Sequence, residues 1–253
     1  MLSFLDREMQ RRQEMAKDLS ERERRELSSI VKEAFQGLDI WRFKNGGGRI
    51  YDYIKFPLAE GGVSQKVLEA IGLLFAWHAT VEERYFTQAD CLFTEADYGG
   101  GQVLAAMGSY CGFGVKLQWA CHYERDLLEG VPSITPVAIF SGYRNELQIG
   151  MCNMERVEKL VMVDEILSTG GTAAALFKAL KRKNIQPLAF YVAVEKAGNG
   201  GRERLLGESH GVPIISLVKI ENRIYEDADE RINASQPVGV TQVIDYEKIF
   251  HTV

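Results

Sequence analysis

The amino-terminal stretch sets isolated apolar residues into a background dense in both signs of charge: Leu2, Leu5, Met9, Leu19, Leu27, Ile30, Val31 and Phe35. That pattern predicts one or two amphipathic helices over residues 1–37. They would lie on the main body with a solvated outer face or, alternatively, meet a partner or a second copy. Ser20, three residues before Glu23, has capping-box spacing and marks the start of the second helix. Residues 38–253 read as one α/β domain. Past the turn-like Asn45-Gly46-Gly47-Gly48, residues 50–56 predict a strand, and Ser64 is placed to cap a helix ending near Trp77. Strand and helix signals then alternate: strand 91–95, helix 102–110, strand 115–119, hairpin strands 137–140 and 146–150, strand 160–163, helix 171–183, strand 188–194, short helix 201–206 and strand 213–218. Residues 122–135 have no period and predict a long loop. Alternation of this kind implies an α/β fold, a central mostly parallel sheet flanked by helices, with an N-terminal helical extension.

Composition narrows the class without changing the fold. Of 253 residues, 46% are hydrophobic and 26% charged, which excludes a largely disordered chain, a collagen-like repeat and a membrane bundle. No apolar run approaches the roughly 18 residues of a spanning helix. The first residues are too charged for the core of a signal peptide, so a cytoplasmic protein is expected. A net charge of −5 argues against nucleic acid as a partner, and an anionic ligand must then be held by local cations or backbone amides. Cys91, Cys111, Cys121 and Cys152 form no CxxC pair, and the four histidines have no ligand spacing. Free thiols and no protein-built metal cluster are the expectation.

Chemistry concentrates in residues 160–176. Leu160-Val161-Met162-Val163 predicts a buried parallel strand, with Asp164 and Glu165 at its carboxyl end, where open α/β sheets bind their ligands. Ser168-Thr169-Gly170-Gly171-Thr172 follows and turns straight into a helix. Glycine lets the backbone approach an anion closely, the helix start presents free N–H groups, and three hydroxyls add donors. Together they make a cradle for one phosphate beside carboxylates able to accept hydrogen bonds from sugar hydroxyls. The lysine of the nucleotide P-loop is absent, and the acids precede the glycines, unlike a dinucleotide fingerprint. The plain alternative is a strand–turn–helix whose Asp and Ser happen to cap the helix.

This segment resembles the ribose-5-phosphate motif of the type I phosphoribosyltransferases. The resemblance implies that Asp164 and Glu165 hold the ribose hydroxyls of phosphoribosyl pyrophosphate (PRPP), and that Ser168, Thr169, Gly170, Gly171 and Thr172 hold its 5′-phosphate. Val194-Glu195-Lys196, with Gly201-Arg202-Glu203-Arg204-Leu205 and Ser216-Leu217, is similar to the carboxyl end of the adenine and xanthine phosphoribosyltransferases. It implies Lys196 and Ile166 beside the base, although a lysine after a strand is as often a solvated cation. The order of residues 52–58, a helix, then Phe93-Thr94-Glu95-Ala96 before a Gly-rich turn is similar to adenine phosphoribosyltransferase, which implies Asp97, Tyr98, Gly99 and Gly100 as the pyrophosphate loop. The resemblance, spanning about residues 45–220, further implies Mg2+ carried by PRPP, a hood over the base from the N-terminal part and the tail, and a homodimer.

The pattern breaks in two places. Asp97 stands where the adenine-type enzymes carry an arginine, and residues 118–130 offer only His122 and Arg125 as cations, beside Glu124, Asp126 and Glu129. Stabilising the charge of a leaving group is usually the largest catalytic contribution, which makes Arg125 the candidate clamp on pyrophosphate. Two functions follow. One is transfer of a phosphoribosyl group from PRPP to a nucleobase, most simply a purine, with release of pyrophosphate. The other is a protein of the same fold that binds a nucleotide or ribose phosphate as a regulator, or hydrolyses a nucleotide's glycosidic bond.

Overall fold

A computed structural model of the chain describes residues 3–44, 48, 50–54, 62–96, 100–112, 114–123, 135–139, 147–151, 154, 156–226, 232 and 235–244. Helices α1 (Phe4–Lys17) and α2 (Glu21–Phe35) each open on a complete capping box, Ser3 with Asp6 and Ser20 with Glu23. Their inner residues Ala16, Val31 and Phe35, with Leu19 between them, are buried in the same apolar cluster as the sheet. Strands β1 (Asp39–Lys44) and β2 (Ile50–Ile54) pair as an antiparallel hairpin. Helix α3 (Gln65–Trp77) starts where the Ser64 hydroxyl accepts the Val67 N–H, and runs into a π-helical turn, His78–Glu82. There follow β3 (Cys91–Ala96), α4 (Gly101–Cys111), β4 (Lys116–Tyr123), β5 (Thr135–Ile139), β6 (Leu147–Met151), β7 (Lys159–Leu167), α5 (Gly171–Arg182), β8 (Gln186–Lys196), α6 (Gly201–Glu208), β9 (Ile214–Ile224) and β10 (Gly239–Ile244).

The described strands form one ten-stranded sheet in the order β2-β1-β10-β9-β8-β7-β3-β4-β6-β5. Its five central strands, β9 to β4, are parallel, and antiparallel pairs extend both edges. The expected central parallel sheet flanked by helices is therefore what the chain forms. Side-chain alternation separates two cores. Val161, Val163, Ala189 and Tyr191 pack with α1 to α4 on one face. Leu160, Met162, Phe190 and Val192 pack with α5 and Leu205 of α6 on the other. Strands covered on both faces in this way have no polar side to expose, hence the continuous apolar runs of β7 and β8.

Two expectations need correction, and two strands were not anticipated. β7 runs on to Leu167, so Asp164 and Glu165 lie inside the strand rather than beyond it; pairing of Asp164 with Val192 and of Leu167 with Glu195 carries the ladder past the acids. β4 runs to Tyr123, so residues 118–123 are strand, because Ala120 to Tyr123 pair with Met151 to Gln148 of β6. The predicted loop therefore loses His122, Tyr123 and Thr135, and residues 124–134 lie outside the described residues. Strands β1 and β10 carry no prediction at all, and β1 shows why: after the buried Ile40 its residues are half-buried, without strict alternation.

Candidate functional site

The acids sit where the sheet changes direction. From β7 the chain winds through α5 to β8 and β9 on one side, and from β3 through α4 to β4 on the other. Neighbouring strands whose connections depart in opposite directions open a crevice at their carboxyl ends, the usual ligand position in such sheets. The β3–β7 ladder ends at Phe93–Met162, while both strands continue to Ala96 and Leu167. Thr94 on one side thus comes near Asp164 and Glu165 on the other, and Glu95 follows it, buried. Gly101, the first residue of α4, lies against Thr94, Asp164 and Glu165. A Cβ there would stand 2.6 Å from Thr94 Oγ1, 3.0 Å from Asp164 Oδ1 and 3.2 Å from Glu165 Oε2. Asp164 Oδ1 also accepts the Glu165 N–H at 2.9 Å, which fixes one carboxylate against the backbone. Gly100, with φ 97, takes the left-handed turn that starts α4.

The phosphate-type cradle leads out of the same strand. Ser168 and Thr169 bend away from β7, Gly170 adopts φ 68 and ψ 13, and α5 begins at Gly171 with no side chain capping its first N–H groups. Uncapped donors at a helix start, with a glycine that admits close approach, suit an anion. A second turn abuts the first: a Cβ on Gly201 would collide with the Ser168 carbonyl oxygen, and one on Gly170 would lie 2.9 Å from the Gly201 carbonyl oxygen. Asn199 Nδ2 donates to Ser168 Oγ at 2.8 Å across this seam.

The motif around residue 196 divides into two roles. Glu195, Arg202 and Ser216 form a buried cluster: Arg202 Nε donates to Glu195 Oε1 at 2.8 Å and Nη2 to Oε2, while Nη1 reaches the Ile214 carbonyl at 2.8 Å. Ser216 Oγ donates to Glu195 Oε2 at 2.9 Å. Burial raises the Glu195 pKa, but bonds and charge from Arg202, aided by Ser216 and Lys219, outweigh it and hold the carboxyl below its usual value. These three residues tie α6 to β8 and β9. Lys196, half-buried at the end of β8, is separate from them. Burial lowers its pKa to about 8 against the opposing pull of Asp52. Asp52 on β2 is gripped by Arg42 on β1, Nε to Oδ1 at 2.7 Å and Nη2 to Oδ2 at 3.1 Å, and it brings the N-terminal hairpin within electrostatic reach of Lys196. Ile166, half-buried, packs against the core on the face covered by α1 to α4.

Sequence reasoning thus finds Asp164, Glu165 and residues 168–172, which the structure joins to Gly100 at one crevice. It names Gly101 only for its amide and misses Asn199, whose only sequence signal is its place in Gly198-Asn199-Gly200-Gly201. Asp97, Tyr98, Gly99 and Arg125 lie outside the described residues. No group of three His, Cys, Asp or Glu side chains among the described residues could hold a metal ion. No described helix is long and apolar enough to cross a membrane. A cavity of about 720 Å3 between the amino-terminal ends of β8 and β9, lined by Phe177, Lys181 and His210 among others, opens at the opposite end of the strands and shares no residue with the crevice.

No family model matches the chain. A hypoxanthine/guanine phosphoribosyltransferase of Methanocaldococcus sp. (strain FS406-22) is 25% identical over 173 residues, covering 68% of this chain and 80% of the relative. An adenine phosphoribosyltransferase of Brucella anthropi is 32% identical over 77 residues, 30% of this chain and 41% of the relative. Apart from the first, the chain spans about half or less of the curated relatives it matches. Among solved structures, adenine phosphoribosyltransferase from Rhodothermus marinus superposes with a TM-score of 0.53 at 15% identity, over 77% of this chain and 98% of that one. The fold is that of the type I phosphoribosyltransferases, and the resemblance read from the sequence, to their adenine- and xanthine-type members, is borne out.

Proposed function

We propose that this chain, with its type I phosphoribosyltransferase fold and purine phosphoribosyltransferase relatives, moves the 5-phosphoribosyl group from Mg2+-bound PRPP to a purine base and releases pyrophosphate. The observation that supports this best is the meeting of paired carboxylates, an uncapped phosphate cradle and the Gly100-Gly101 start of α4 at the sheet's switch point. In this reading Asp164 and Glu165 accept hydrogen bonds from the two ribose hydroxyls, and Ser168 to Thr172 hold the 5′-phosphate. A ring nitrogen of the base, its ring N–H proton passing to solvent, then attacks the anomeric carbon as that carbon's bond to pyrophosphate oxygen breaks, through an oxocarbenium-like transition state. The two carboxylates lie beside the positive charge that develops there, and pyrophosphate departs along the start of α4. Lys196 and Ile166 border the base, beneath the β1–β2 hairpin, and Mg2+ enters with PRPP as part of the substrate. Arg125 is the clamp on the departing pyrophosphate. A cytoplasmic homodimer with a helical extension over residues 1–37 completes the proposal.

A pyrophosphate-release assay with Mg-PRPP and a panel of adenine, hypoxanthine, guanine and xanthine tests it. Release that depends on one of these bases, with formation of the matching nucleotide, is the expected result. One observation favours a second reading: the acid at Asp97, where pyrophosphate would be repelled. If ribose 5-phosphate or a nucleotide binds but no base supports release, the chain is a binding protein or a nucleotide hydrolase.

A further inference from the structure

We propose that Asn199 is a positioning residue for the phosphate cradle, holding the Ser168 hydroxyl so that its proton points to the bound phosphate. The inference rests on the phosphate reading of residues 168–172. Asn199 Nδ2 donates to Ser168 Oγ at 2.8 Å. A hydroxyl has one proton and two lone pairs, so an oxygen that accepts from an amide is left with its O–H to donate. The turns at 168–170 and 198–201 touch so closely that neither Gly170 nor Gly201 has room for a side chain, and the Asn199 amide is what crosses to the hydroxyl. The seam also joins two helix starts of the same kind, since Gly170 (φ 68) and Gly200 (φ 69) both precede helices whose first N–H groups carry no side-chain cap. An anion at α5 is therefore bordered by a second turn, whose one contribution to the cradle's hydroxyls is Asn199. That turn begins directly after Lys196, so one short segment serves both the base end and the phosphate end of the site.

Asn199 is exposed, so its replacement leaves the core untouched. Calorimetric titration with ribose 5-phosphate would compare wild type, Asn199→Ala, Ser168→Ala and the double variant, with melting temperature as the folding control. Each single change should weaken binding about threefold to tenfold, the range for one hydrogen bond. The double variant should bind no worse than Ser168→Ala, because Asn199 acts only through that hydroxyl. Asn199→Asp should bind worse than Asn199→Ala, since a carboxylate captures the Ser168 proton and adds negative charge. With Mg-PRPP as substrate, Asn199→Ala should raise KM more than it lowers kcat. Wild-type affinity in Asn199→Ala, or fully additive losses in the double variant, overturns the inference while leaving the phosphate site standing. Wild type that fails to bind ribose 5-phosphate overturns both.

Discussion

Lys196, proposed to border the base, carries a clear pH signature. Burial brings its ammonium to about 8, with Asp52 opposing the shift, so the group is mostly charged at pH 7 and mostly neutral at pH 9. A charged donor bonds a purine oxygen roughly 1 kcal/mol more strongly than a neutral one. If Lys196 serves an oxopurine, KM for hypoxanthine should therefore rise several-fold as pH passes through 8, and Lys196→Met should raise KM at pH 7 and flatten the profile. A profile in the variant identical to wild type removes Lys196 from the base site. At this scale legibility followed contiguity. Asp164, Glu165 and Ser168 to Thr172 are consecutive enough to be recognised as one device, whereas Thr94, Gly101 and Asn199 reach it from other strands and turns. Nothing in their own sequence neighbourhoods says which carboxylate or hydroxyl they will meet.

Among elements, α6 shows how a motif can be legible and yet change meaning. Glu195, Arg202 and Ser216 were readable as a family signature, but their side chains face one another in the interior, where they join α6 to β8 and β9. Removing one partner of a buried pair leaves the other charge without compensation, at a cost of about 3–5 kcal/mol. Arg202→Met should lose that much stability in urea unfolding, and Glu195→Gln combined with Arg202→Met should lose less than Arg202→Met alone. A loss under about 1 kcal/mol in Arg202→Met contradicts the tie. Strand limits were the least legible feature. β7 continues through two acids and β4 through His122 because neighbouring strands satisfy their backbone groups, a long-range benefit that local polarity hides. β1 and β10 were invisible for a related reason: they add to the sheet by pairing with β2 and β9, and β1 lacks the alternation that marks a strand.

At the scale of the whole molecule, helices α1 to α4 cover one face of the sheet and α5 with α6 the other, and His78 links the first layer to the sheet's centre. Its Nδ1 lies 2.7 Å from the Tyr191 hydroxyl, and burial lowers its pKa to about 4. The folded protein thus keeps His78 neutral over a range in which the unfolded chain, near its ordinary value of 6.5, binds a proton. Stability from this source is present above pH 6.5 and drains away as pH falls toward 4, by ~3 kcal/mol in all. Urea unfolding between pH 7 and pH 4 should show a shallower acid loss in His78→Gln by about that amount; parallel slopes in the two proteins count against it. The overall architecture was readable from the alternation of strands and helices, since a parallel sheet needs a crossover helix between strands. The switch point between β3 and β7 was not, because strand order is a property of three dimensions. Everything proposed for function depends on that crevice taking a phosphoribosyl group, so calorimetric titration with Mg-PRPP of wild type against Asp164→Asn/Glu165→Gln is decisive. Wild type should bind saturably, and the double variant, melting as wild type does, should bind about a hundredfold or more weaker after losing two charge-assisted acceptors. Equal affinity in the two proteins would contradict the assignment of the crevice.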